Sequence, residues 1–192
     1  ISNDVSFTDE AKEFKGSTEI NGGSLSLDIP NAIDDSSGVQ LTNGGNLSAS
    51  ETQNIESVDI QGDDSSVGVT NGSEVSFGDV SLDKDVSGTS ITADGGSDVS
   101  VDDVSLADGV AGTSISANNG SELKINNPID GDLSVDNINV TNGSSANLSG
   151  VDGNVSGKSL TVDGENSDFT VNDTIGGNLA VDNINVTNGS SA

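Results

Sequence analysis

VDNINVTNGSSA, residues 135–146, recurs unchanged as residues 181–192. The offset is 46 residues, and half of it, 23, is a finer period that emerges when the apolar residues are aligned. Ser73, Ser97, Ser121, Ser144 and Ser167 mark the start of five regular repeats, spaced 24, 24, 23 and 23 residues apart. Each is followed by an apolar pair two residues apart: Val75 and Phe77, Val99 and Val101, Leu123 and Ile125, Ala146 and Leu148, Phe169 and Val171. A third column holds Leu82, Leu106, Ile129, Val151 and Ile175, and a fourth holds Val86, Val110, Leu133, Val155 and Leu179. The last pair is Ile91/Ala93, Ile115/Ala117, Ile138/Val140, Leu160/Val162 and Ile184/Val186. Among these five repeats, length varies between the first pair and the third column.

Two apolar residues flanking one polar residue place both side chains on one face of a strand. A helix needs spacings of three and four, which no segment sustains. Gly, Asn and Asp between the pairs supply corners with positive φ. A single turn of such chain cannot bury its apolar face, but stacked turns share a continuous core. The period therefore predicts an all-β parallel β-solenoid (β-helix) of about eight rungs of 22–24 residues. A β-sandwich of short strands would explain the alternation but not the period.

The N-terminal third follows the plan less regularly. Leu25 and Leu27, with Ile29, Ile33, Val39 and Leu41, read as one rung. Leu47 and Ala49 open the next, an overlong one closed by Val67 and Val69, and Val5 and Phe7 open the first. Residues 1–23 are expected to form a first rung that also serves as a cap or docking segment, with some helical character in DEAKEFK (residues 9–15). Residues 24–192 form the repeats, the last rung being incomplete.

Composition agrees with a thin core. Of 192 residues only 30% are hydrophobic and 2% aromatic, and the formal net charge is -27. Low hydropathy with high charge is also the signature of disorder, but a disordered chain has no reason to hold apolar columns. There is no Cys, so no disulfide framework or thiol chemistry is available. No run of about 18 apolar residues exists to cross a membrane as a helix. A surface this acidic repels nucleic acid and anionic lipid. The first residue is Ile1 and not Met, which suggests a processed product.

The rung contains the motif G-[ND]-[LV] at residues 131–133, 153–155 and 177–179, followed by an apolar pair and an Asn-Gly corner. This resembles the β-helical repeats of large microbial surface proteins, such as filamentous haemagglutinin-like adhesins and autotransporter passengers. The resemblance covers most of the chain and concerns architecture. It implies an exported, elongated structural or adhesive module of an extracellular fibre or cell-surface stalk. Its partners would be other copies of itself, stacked end to end or as a longer repeat array, and surface glycans or host-cell receptors. No secretion domain or anchor is recognisable beside the repeats.

Catalysis is not expected. A β-helix that cleaves acidic polysaccharide needs a base plus cations to hold substrate carboxylates; the five basic residues here are scattered lysines, and Arg and His are missing. No cofactor is expected, with calcium as the exception to test. Asp79 and Asp103 occupy matching places on adjacent rungs, followed by Asn127, while Asp83 and Asp85 lie near Asp108 in the next rung. Stacked carboxylates and carbonyls are calcium ligands, which makes a calcium-dependent surface module the alternative function; the plainer explanation is a solvated acidic face suited to high salt. Ten asparagines begin N-x-[ST]: Asn46, Asn71, Asn119, Asn139, Asn142, Asn147, Asn154, Asn172, Asn185 and Asn188. They are candidate glycosylation sites, or outward ladders and turns.

Overall fold

The computed structural model describes residues 1, 3–7, 16–33, 36–83, 86–107, 110 and 112–192. Among the described residues the alternating segments form eighteen strands. In chain order they are β1 (Val5–Phe7), β2 (Gly16–Asn21), β3 (Ser24–Leu27), β4 (Ser36–Thr42), β5 (Asn46–Ala49) and β6 (Gln53–Ile60). There follow β7 (Ser66–Val69), β8 (Glu74–Leu82), β9 (Ser90–Ala93), β10 (Asp98–Leu106), β11 (Ser114–Asn118) and β12 (Glu122–Ile125). The last six are β13 (Leu133–Ser134), β14 (Asn137–Thr141), β15 (Ser145–Leu148), β16 (Val155–Asp163), β17 (Asp168–Val171) and β18 (Leu179–Thr187).

Apart from β13 and β14, strands next to each other in sequence lie in opposite sheets, and each strand pairs parallel with its equivalent one repeat away. The first sheet runs β1-β3-β5-β7-β9-β11-β14-β16, with β13 and β18 both on β16; the second runs β2-β4-β6-β8-β10-β12-β15-β17. The chain is thus a parallel β-solenoid. In the first sheet one column runs Val5, Leu25, Leu47, Val67, Ile91, Ile115, Ile138, Leu160, Ile184. In the second, Val75, Val99, Leu123, Ala146 and Phe169 stack in register. The inward residues of both sheets form a single buried core from Ile20 to Val162.

Asn-Gly between two alternating segments is ordinarily the strongest hairpin signal. At Asn142 and Gly143 both residues do take left-handed φ, 57° and 77°. The turn nevertheless carries the chain from β14 in one sheet to β15 in the other. Each strand already has its partner in the previous rung, so the turn makes a corner and not a hairpin.

The N-terminal third differs from the expected rungs. Leu25/Leu27, Leu47/Ala49 and Val67/Val69 are successive members of the same column that continues into Ile91/Ala93. Residues 47–69 therefore do not open and close one overlong rung, since both pairs sit in one sheet, one turn apart. The first-pair column begins with Gln53, whose polarity hid it. Gln53 is buried; its Nε2 donates to the Ile29 carbonyl at 2.6 Å and its Oε1 accepts from the Ala32 amide at 2.9 Å. Residues 8–15, including DEAKEFK, lie outside the described residues. Ile1 is in the stack: its carbonyl accepts from the Asn21 amide and its amino group donates to the Glu19 carbonyl, which sets Ile1 beside Ile20.

The rungs also widen along the chain. From the residue in the Ile20 column to its successor in the Val5 column, the step is four residues at Ile1–Val5. It grows to five, six and seven at Ile20–Leu25, Leu41–Leu47 and Ile60–Val67, then to nine at Leu82–Ile91 and Leu106–Ile115. Ile129, Val151 and Ile175, linked by parallel bridges, keep the nine-residue step. The added residues include the fourth apolar column, which is buried at Val86, Val110, Leu133 and Val155. The larger length change thus lies outside the loop that the five regular repeats indicate.

Close stacking leaves little room at Gly153 and Gly177, the glycines of the second and third G-[ND]-[LV]. A Cβ at Gly153 would collide with the Asp132 carboxylate and the Gly131 carbonyl, whereas a Cβ at Gly68 would meet nothing within 4 Å. Gly153→Ala should therefore destabilise by about 1–3 kcal/mol, as overpacking does. Gly68→Ala should be neutral or stabilising by about 0.4–1 kcal/mol through the unfolded chain. Urea denaturation of the two variants beside the parent checks the contrast, and equal effects would contradict the stacking.

Candidate functional site

Polar ladders at the corners position everything the solenoid presents. The serines that open the repeats face inward: Ser97, Ser121, Ser144 and Ser167 are all buried. Ser144 Oγ donates to the Thr141 carbonyl at 2.7 Å and accepts from the amides of Gly120 and Ser121 at 3.0 and 3.2 Å. Ser121 Oγ accepts from Gly96 and Ser97, and Ser167 Oγ from Gly143. One hydroxyl thus satisfies corner amides of the rung before it and a carbonyl of its own. A second ladder lies at G-[ND]-[LV], where Asp132 Oδ1 accepts from the Asn154 amide at 2.7 Å and Asn154 Oδ1 from the Asn178 amide at 2.8 Å.

These ladders use many of the N-x-[ST] asparagines. None of the ten is buried. Asn142 Nδ2 donates to Asn119 Oδ1 at 3.1 Å, Asn119 Nδ2 to Asp94 Oδ1 at 2.7 Å, and Asn188 Nδ2 to Asp163 Oδ1 at 2.6 Å. Asn46 Nδ2 donates to the Gly44 carbonyl, Asn147 Nδ2 to Glu122 Oε1 and Asn154 Nδ2 to Asp132 Oδ1. In Asn71-Gly-Ser, Asn119-Gly-Ser and Asn142-Gly-Ser the serine is the buried ladder residue, so the corner alone accounts for the motif. Asn139 and Asn185 alternate with the inward pairs Ile138/Val140 and Ile184/Val186, while Asn172 is exposed beyond β17.

Of the calcium candidates, Asp79 and Asp103 are paired in register and exposed, as their spacing implies. The next position is filled by Asn127, whose Nδ2 donates to Asp103 Oδ1 at 3.0 Å. Asp83 is exposed, and Asp85 and Asp108 lie outside the described residues. Among the described residues no group of three or more Asp, Glu, His or Cys side chains is placed to hold a metal ion.

The incomplete last rung expected from the sequence lies at the C-terminal face. β18 pairs on one side only, with β16. Leu179, Ile184 and Val186 are 54%, 52% and 42% exposed; the other large exposed apolar residue among those described, Val5, lies on the opposite face. Leu179 and Ile184 border an apolar recess of about 300 Å³ that reaches Leu148, Phe169 and Ile175.

Local electrostatics follow the ladders. Hydrogen bonds from Thr187 and Asn188 hold the Asp163 carboxyl below its ordinary value, and bonds from Ser6 and Ser50 do the same for Asp28. A hydrogen bond to Glu122 raises the Lys124 ammonium.

Ser144→Ala should cost about 1–3 kcal/mol, because it strands two corner amides. Ser145→Ala, on an outward position, should stay within about 0.5 kcal/mol, and thermal unfolding distinguishes them. Because Asp163 is depressed, its bond to the last corner is present above the ordinary carboxylate value and lost as pH falls through the lowered one. Thr187→Val should move the Asp163 midpoint back up, measurable by NMR titration of its carboxyl carbon.

Compared with protein-family models, curated proteins and solved structures, the chain matches none at a significant level.

Proposed function

We propose that the chain is a structural or adhesive module of an extracellular fibre or cell-surface stalk. The observation that carries this reading is the division of labour in the solenoid. One continuous core and its internal ladders hold a rod, while its outer positions hold Asp, Asn, Ser and Thr with few cations. A parallel ladder along the axis resists bending because every inner rung is hydrogen-bonded to two others. The -27 charge keeps rods apart and soluble. Adhesion would use the outward columns of amides and hydroxyls, which offer repeated donors and acceptors to surface glycans or receptors. The exposed sequon asparagines would carry glycans where the source glycosylates exported proteins.

Dyes near Val5 and Ile184 test the rod. Eight intervals of about 4.8 Å give a separation of roughly 38 Å with a narrow distribution. A broad distribution, as from a flexible chain, would overturn the reading. Calcium added at matched ionic strength should leave the melting temperature unchanged; a specific rise would favour a calcium-dependent binding module instead.

A further inference from the structure

Three inner corners, each with a further rung stacked on it, carry the same tripeptide: Asn71-Gly72-Ser73, Asn119-Gly120-Ser121 and Asn142-Gly143-Ser144. Their asparagines take nearly the same left-handed φ, 64°, 56° and 57°. What differs is how the next rung holds them. The Gly120 amide donates to Ser144 Oγ at 3.0 Å and the Gly143 amide to Ser167 Oγ at 2.9 Å. Ser97 stands in the equivalent place above Asn71-Gly72, but its hydroxyl bonds within its own rung, to the Asp94 carbonyl at 2.6 Å. Among the described residues the Gly72 amide has no acceptor.

The side chains repeat the contrast. Asn142 Nδ2 donates to Asn119 Oδ1 at 3.1 Å, and Asn119 Nδ2 donates to Asp94 Oδ1 at 2.7 Å. Above Asn71 the ladder is interrupted, because Gly95 packs on the Asn71 backbone and has no side chain to offer. Asn71 and Gly72 are both exposed.

An Asn-Gly pair can react with itself, since glycine has no Cβ to keep its amide away from the preceding side chain. The Gly72 nitrogen, having lost its proton to solvent, attacks Asn71 Cγ. The N–Cγ bond forms, the Cγ–Nδ2 bond breaks, ammonia leaves and a succinimide ring closes. Water then opens the ring at either carbonyl and leaves aspartate or isoaspartate. A glycine amide held by a serine must first give up that acceptor. We propose that, of these three corners, Asn71 is the site of spontaneous deamidation in the folded protein, while serines of the next rung protect Asn119 and Asn142. The product adds one carboxylate, and isoaspartate lengthens the main chain by one atom between β7 and β8.

Peptide mapping by mass spectrometry tests this on the full chain, incubated folded at mildly alkaline pH. Asn71 should convert roughly three- to tenfold faster than Asn119 or Asn142, the factor one neutral hydrogen bond is worth. In urea the three rates should converge, because the tripeptide is the same. Ser167→Ala frees the Gly143 amide, so Asn142 should accelerate toward the Asn71 rate. Asn119, still held by Ser144, should keep its own rate in that variant. Equal rates at the three corners of the folded chain would overturn the proposal. So would a difference that persists in urea, or a Ser167→Ala variant in which Asn142 gains no more than Asn119. The comparison within the parent chain uses no variant, so it decides the matter even where Ser167→Ala does not fold.

Discussion

Every rung of this protein depends on the parallel, in-register ladder that sets each residue on its equivalent about 20–24 residues away. With strands about 4.8 Å apart, an inward position in one rung is inward in all. A corner amide in one rung likewise falls beside a side chain of the next. A single constraint thus organises the core, the turns and the surface together. It also explains how a chain with 30% hydrophobic residues folds. Each rung supplies only a few inward side chains, and its neighbours supply the rest of the burial.

The same ladder dictates where polar groups can be buried. Four sheet-linking corners place Ser97, Ser121, Ser144 and Ser167 inside, and the hydroxyls of Ser121, Ser144 and Ser167 serve corner amides of the rung before. Gln53 does equivalent work at a single place, closing the Ile29–Ala32 turn. Buried polar atoms are costly unless partnered, and stacking provides the partners at fixed intervals. The outward ladders of Asn and Asp need no such satisfaction, which leaves them available to whatever the surface meets. At β18, which pairs with β16, the apolar positions Leu179, Ile184 and Val186 are exposed.

Much of this was legible in the residues themselves. The period, six apolar columns in the five C-terminal repeats and the Asn-Gly corners follow from spacing, since alternation and left-handed turns are local properties. The regular serine was visible as a landmark, though not as a buried one, because small polar residues favour turns whether they face in or out. The proposed metal residues Asp79 and Asp103 were correctly matched in register, but register alone does not assemble a ligand shell, and Asn127 fills the next place with a donor.

By itself, then, the sequence determined that the chain stacks, at what period, and which side chains face inward in the regular repeats. Only the tertiary structure decided which sheet the pairs at Leu25, Leu47 and Val67 occupy. An apolar pair reads alike on either side of a shared core, and Gln53 broke the pattern that would have told them apart. It likewise decided that the rungs widen from a four-residue to a nine-residue step, because that count needs the columns to be anchored at both ends. Finally, it separated two identical segments, residues 135–146 and 181–192, into one buried and one exposed. Identical residues cannot differ in sequence; they differ only in what lies on top of them.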